Sequence, residues 1–149
     1  MNINHLRIIA GLVLTPIAMA IVWSIPFYNH SALIQWFLIN ILSAYGAFLF
    51  FAAISHLILR LLNLKAAWQY CLVMFCVALP IDIGFSIYSI QGYSSLYYSQ
   101  TQVVEHGDIT ASGYMLQVTE SLKSSAFLTL AFLLFWFIAV RKPRDKLNA

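Results

Sequence analysis

Charge is what this chain has least of. Lys and Arg number eight and Asp and Glu five among 149 residues, or 9%, where a soluble domain carries roughly 25%. With 62% of its residues hydrophobic, a chain of this length has too little interior to hide its apolar surface from water. A lipid bilayer is the solvent that composition fits. Cysteine is almost as scarce. Cys71 and Cys76 are about 140° apart around a helix, so they cannot pair with each other without unwinding it. They read as small buried hydrophobes. No cysteine occurs in a polar segment, which excludes a disulfide framework and the outward-facing thiols of a disulfide-generating membrane oxidoreductase.

A third shortage concerns sign. Residues 91–121 contain Glu105, Asp108 and Glu120 but no Arg, and Lys123 is the first Lys beyond them. Seven of the eight basic residues (Arg7, Arg60, Lys65, Arg141, Lys142, Arg144 and Lys146) flank long apolar runs instead. The net charge of +3 is therefore a charged membrane rim rather than a nucleic-acid surface, and nucleic acid is set aside as a partner.

The apolar runs give the architecture: all-α, an integral membrane four-helix bundle forming one domain over 1–149. The spans fall at about 8–27, 32–62, 66–90 and 122–140, each long enough as helix to cross ~30 Å of hydrocarbon. Ala18-Met19-Ala20 has the form of a signal-peptide cleavage site, but the apolar run continues through Trp23, so a retained first helix is expected. Pro16 sits mid-span, where neighbouring helices satisfy the freed carbonyl. Pro26, Tyr28, Asn29 and His30 suit a tight turn, and Asn63-Leu64-Lys65 is short enough to make the second and third helices antiparallel neighbours. Four spans put both termini on one side. The positive-inside rule makes that side the cytoplasm, N-in and C-in, with the 91–121 segment as one structured outer loop. In a bacterial cell this describes a multi-pass protein of the inner membrane with its loop in the periplasm.

The chemistry centres on Leu79-Pro80-Ile81-Asp82-Ile83-Gly84-Phe85-Ser86. Asp82 is the only acidic residue inside an apolar run, and an ionisable group at that depth costs about 2.5–3.5 kcal/mol on insertion scales. Such a group faces the bundle interior, and helical spacing puts Ser86 on its face. Asn40 on the second helix and Thr129 on the fourth, with Ser125 and Ser121 above it, reach a similar depth; Ser24 on the first lies nearer the outer surface. The expectation is an intramembrane polar cluster of Asp82, Asn40, Ser86 and Thr129 in the outer half of the bundle. The competing account is that the small polar residues are ordinary helix-packing positions and that Asp82 makes a structural bond to Asn40 or to a freed backbone carbonyl.

The remaining polar residues carry less. His56 lies near the inner end of the second helix, one turn from Arg60, and reads as an interfacial side chain. A bis-histidine haem needs two facing histidines at one depth, so no cofactor is assigned. In the outer loop, Gln102 to Thr110 reads as a hairpin around His106-Gly107, with Thr110 or Ser112 capping a helix that runs into the fourth span. Glu105, His106 and Asp108 are metal-ligand types, but on such a turn they are solvated, and no metal is assigned. With Tyr97 and Tyr98 they are candidate contacts for a partner. Lipoprotein signal peptidases are similar in size and topology but use two aspartates near the outer face, and Asp82 has no acidic partner within the spans. Small multidrug transporters rely on a glutamate in their first helix, which this chain lacks.

No convergent catalytic set is legible, so a non-enzymatic role is expected. The chain reads as a small membrane protein acting by protein–protein interaction, as an accessory subunit or as an immunity-type protein against a membrane-active toxin. Its expected partners are the lipid bilayer and another membrane protein or a second copy of itself. The alternatives are a proton- or cation-coupled transporter or channel using Asp82, and a membrane enzyme acting on a lipid-borne substrate near the outer face.

Overall fold

The computed structural model describes residues 5–27 and 31–141. The turn expected at Tyr28, Asn29 and His30 and the basic tail from Lys142 lie outside them. Four helices account for most of the chain: α1 His5–Ser24, α2 Leu33–Leu61, α3 Ala67–Ser89 and α4 Ala111–Phe135. Each is long and apolar enough to cross a membrane. A single 3-10 turn, Ile25–Phe27, follows α1, and α4 runs on through a π-turn at Trp136–Val140.

Local chemistry explains where the helices stop. At the end of α2, Asn63 takes φ 54°, and Leu64 N donates to Leu59 O while Asn63 N donates to Arg60 O. This is the Schellman arrangement, with Asn supplying the left-handed residue. Gln69 starts α3 by accepting the backbone N–H groups of Lys65 and Ala66 at 2.9 and 2.8 Å. Pro16 and Pro80 do not end their helices, both lying inside continuous ones, whereas Pro26 sits in the 3-10 turn that follows α1.

Neighbouring helices run antiparallel, and their shared interior is narrow. Phe48 and Phe132 are fully buried. Phe132 stacks on Phe135 at 5.6 Å between centroids and meets Tyr70 at 5.5 Å. Ala20, Ala44 and Ala78 are also fully buried, small residues that let helix backbones approach. Outward the surface is apolar: Ile34, Leu42, Leu61, Phe85 and Leu130 are each at least 65% exposed.

Between α3 and α4 lies a three-stranded antiparallel sheet in the order β1 Ser95–Tyr98, β2 Thr101–Glu105, β3 Asp108–Ile109. The expected hairpin is there: Glu105 pairs with Asp108 across His106 and Gly107, whose φ values of 52° and 92° suit a tight two-residue turn. One feature differs from the sequence expectation: a third strand, β1, adds to the hairpin. The helix expected to run from a cap at Thr110 or Ser112 into the fourth span is α4, which begins at Ala111. The first turns of α4 are polar yet helical, because Thr110 Oγ1 caps them by accepting Gly113 N at 2.9 Å.

A bulge joins the sheet to the helices. Leu96 opposes Val104 and Tyr97 opposes Gln102, leaving Val103 as the extra residue. Both Val103 and Val104 are consequently buried, and with Ile90 they form a second small core against Leu96, Ile109 and Leu116. Val103 O accepts Thr110 N at 3.0 Å. A Cβ on Gly113 would lie 2.3 Å from that same oxygen, so only glycine fits where α4 meets β2.

Candidate functional site

Two places hold the residues singled out by the sequence. The first is a polar layer near the sheet end of the helices. Asp82 lies on α3 two residues after Pro80, half-buried, and its Oδ2 is enclosed with no hydrogen-bond partner among the described residues. One turn nearer the sheet, Ser86 Oγ donates to the Asp82 carbonyl and lies 3.0 Å from Ser121 Oγ on α4. A serine hydroxyl has one hydrogen, so Ser121 is the donor in that contact.

The next turn of both helices leads to an unmet demand. Four residues along antiparallel helices move both chains about 6 Å from the sheet. Asp82 and Ser125 therefore sit at one level, beneath the Ser86–Ser121 bridge. Ser125 is fully buried, and its Oγ also lacks a partner among the described residues.

The first two helices reach this layer separately. Ser24 Oγ donates to Ala20 O at 2.8 Å and accepts Asn40 Nδ2 at 3.1 Å. Trp23 stacks on Phe127 at 5.4 Å between centroids, which brings Ser24 within about one turn of the height of Ser125. All four helices thus carry polar side chains into one stratum. They form pairs rather than a single cluster. Asn40 bonds to Ser24 and not to Asp82, and Thr129 turns back on its own helix, donating to Ser125 O at 2.8 Å.

Chemically, Asp82 Oδ2 and Ser125 Oγ offer an acceptor and a hydroxyl in surroundings where unpaired polar atoms are costly. A proton, a water or a small cation is the kind of species that would satisfy them. Thr15 was not among the sequence candidates, yet its Oγ1 is likewise buried without a partner among the described residues, beside Pro16. A threonine inside an apolar run usually bonds to its own helix, so no sequence signal could have found this one.

The second place is the sheet. Glu105, His106 and Asp108 are all exposed at the β2–β3 turn, far along the chain from Asp82 and on the solvent side of the hairpin. Among the described residues, no three of His, Cys, Asp and Glu converge as a metal site would require. Tyr97 and Tyr98 stand on β1, each 61% exposed. That strand is the edge of the sheet, so among the described residues no strand pairs with one side of its backbone. Tyr93 and Tyr114 are exposed near the same end. At the mouth of α4, Lys123 Nζ meets Glu120 Oε1 at 2.8 Å.

The platform so formed is held firmly. Thr110 Oγ1 donates to Gln102 O at 2.7 Å while accepting Gly113 N, tying β2 to the first turn of α4. No protein-family model, no curated protein and no solved structure matches this chain.

Proposed function

We infer that this is a multi-pass membrane protein acting by protein–protein contact, its helices anchoring an outer platform that meets the partner. The observation that carries the reading is the docked sheet with its open edge. A strand with an unpaired backbone edge can take on a further strand from a partner, and exposed tyrosines supply large, rigid contact area. A loop serving only to join two helices would need neither a sheet nor a bulge that buries two valines beneath it.

Orientation follows from charge. Arg7, Arg60, Lys65 and Arg141 lie at the end of the helices opposite the sheet, and Glu105, Asp108 and Glu120 lie at the sheet end. The positive-inside rule then gives cytoplasmic termini and an outward platform, in a bacterial cell facing the periplasm from the inner membrane. An accessory subunit of a membrane assembly and an immunity-type protein guarding against a membrane-active toxin both fit this arrangement. Their common test is purification in mild detergent. A partner should co-purify in fixed proportion with the native chain and be lost when Tyr97 and Tyr98 are both replaced by Ala. A chain that purifies alone, or a partner retained by that variant, contradicts the reading.

One observation favours a second reading, a proton- or cation-coupled role, and it is the unpartnered pair Asp82 Oδ2 and Ser125 Oγ. Asp82→Asn keeps shape and hydrogen-bonding capacity but removes the charge. Loss of cellular activity with unchanged thermal stability would favour transport, and unchanged activity would eliminate it. The enzyme reading has less support, because Glu105 and Asp108 are exposed at the hairpin turn, where neither can act with Asp82.

A further inference from the structure

The basic end of the bundle contains a cavity that neither the polar layer nor the platform uses. It has a volume of about 210 Å³ and opens between the helices. Leu12 of α1, Leu49, Ala52 and Ala53 of α2, and Phe135 and Val140 at the end of α4 make its wall apolar, and His56 contributes to the lining. It is larger than the ~150 Å³ apolar cavity that stays dry and takes up benzene. Two alanines on one side and the π-turn on the other create the space. A π-turn widens the helix and leaves carbonyls out of the usual ladder. Here Arg141 N bonds to Trp136 O, and the Ile138 carbonyl accepts Arg7 Nε at 2.9 Å.

Positive charge gathers at the same end, and among the described residues no carboxylate there compensates it. Arg7 precedes Ile8, which lines the cavity; Arg141 follows Val140; Arg60 lies one turn beyond His56 on α2. The single ion pair among the described residues is Lys123–Glu120 at the other end of the bundle, so none of these guanidinium groups has a carboxylate partner there. Arg7 spends only its Nε on Ile138, and Arg141 rests 4.6 Å above the Phe137 ring. An apolar slot ending in arginines that have no carboxylate partner among the described residues, at a cytoplasmic membrane surface, has the chemistry to recognise an anionic phospholipid.

We propose that this cavity holds one acyl chain of an anionic phospholipid from the inner leaflet, whose phosphate is met by Arg7, Arg60 and Arg141. The proposal rests on the membrane reading above but not on the partner reading, since the cavity lies at the end remote from the sheet. Chain and headgroup are bound by different parts of the site. The cavity supplies affinity for hydrocarbon of any headgroup, and the arginines supply the preference for negative charge.

Those contributions separate in native mass spectrometry of the detergent-solubilised protein, titrated with phosphatidylglycerol or phosphatidylcholine of identical chains. The native chain should retain one phosphatidylglycerol with at least about tenfold preference over phosphatidylcholine. Ala53→Phe, which fills the slot, should abolish retention of both lipids; Leu49→Trp fills the same space should the first variant fold poorly. Arg60→Gln combined with Arg141→Gln should keep the lipid and lose most of the preference. Inorganic phosphate should not displace the bound lipid. Equal binding of the two lipids by the native chain, retention in both filled variants, or displacement by phosphate overturns the proposal. Recovery of the protein in the aqueous fraction without detergent would instead defeat the membrane reading itself.

Discussion

Replacing Gly113 by Ala tests the joint that carries the platform. The added Cβ would lie 2.3 Å from Val103 O and 3.1 Å from Ile109 Cγ2, and the ordinary contact begins at about 3.4 Å. Relief requires β2 to retreat by roughly 1 Å. The bond from Thr110 N to Val103 O, now 3.0 Å, does not survive such a shift with useful geometry. Leaving a buried carbonyl without its donor costs about 1–3 kcal/mol. Alanine returns up to about 1 kcal/mol through its higher helix propensity. From the middle of the first range, about 2 kcal/mol, the net loss is about 1–2 kcal/mol, which in a small local unit means opening about 5–30 times more often.

Amide hydrogen exchange in a detergent micelle reads this directly. Exchange over 95–110 should accelerate by that factor, while the interiors of α1, α2 and α3 keep their protection and helical content is unchanged. Gly46→Ala is the control, since a Cβ there meets nothing within 4 Å, and it should leave the sheet untouched. Exchange over 95–110 that is unchanged in Gly113→Ala would refute the tight joint between β2 and α4.

Three further outcomes follow from the helices. Asp82→Leu removes an unpartnered buried oxygen and about 2.5–3.5 kcal/mol of insertion cost, so thermal stability in detergent should hold or rise; a clear fall would mean the carboxyl makes a bond the fold needs. Ser86→Ala and Ser121→Ala break the same contact, so a double-mutant cycle should return a coupling of about 0.6 kcal/mol, the usual worth of such bonds in membranes, and strict additivity would remove the bridge. A reporter that works only outside the cytoplasm should be active when fused after Gly107 and silent after Lys146; the reverse pattern would invert the orientation.

The sequence made the helices legible because apolar length is a strong and redundant signal. The His106-Gly107 turn and the Thr110 cap were equally readable, since each depends on residue types that few other conformations favour. β1 was not. Tyr97 and Tyr98 suit a strand and an exposed contact surface alike, so their pattern marked them only as candidate contacts and concealed a third strand. The start of α4 was readable only through the Thr110 cap, because the turns from Ala111 to Ser121 are polar and the apolar run itself begins at Leu122.

The polar layer shows a different limit. Helical arithmetic gives depth and face, and on both counts Asn40 and Asp82 belong together. Which neighbour each meets depends on how the helices pack, and α1 claimed Asn40 through Ser24. The gap left around Asp82 Oδ2 and Ser125 Oγ is invisible to any pattern of residues. The π-turn at Trp136–Val140 is similarly silent, because nothing in that apolar stretch sets it apart from ordinary helix.

The claim that matters most is that the edge of the sheet meets a partner protein, and the most direct measurement is site-specific photo-crosslinking in living cells. A photoreactive residue would replace Tyr97 on β1, with Leu42, 76% exposed on the apolar surface of α2, as the comparison site. The account predicts one discrete adduct of defined mass from position 97, and none from position 42 at equal expression. No adduct from 97, or the same adduct from both positions, would contradict it.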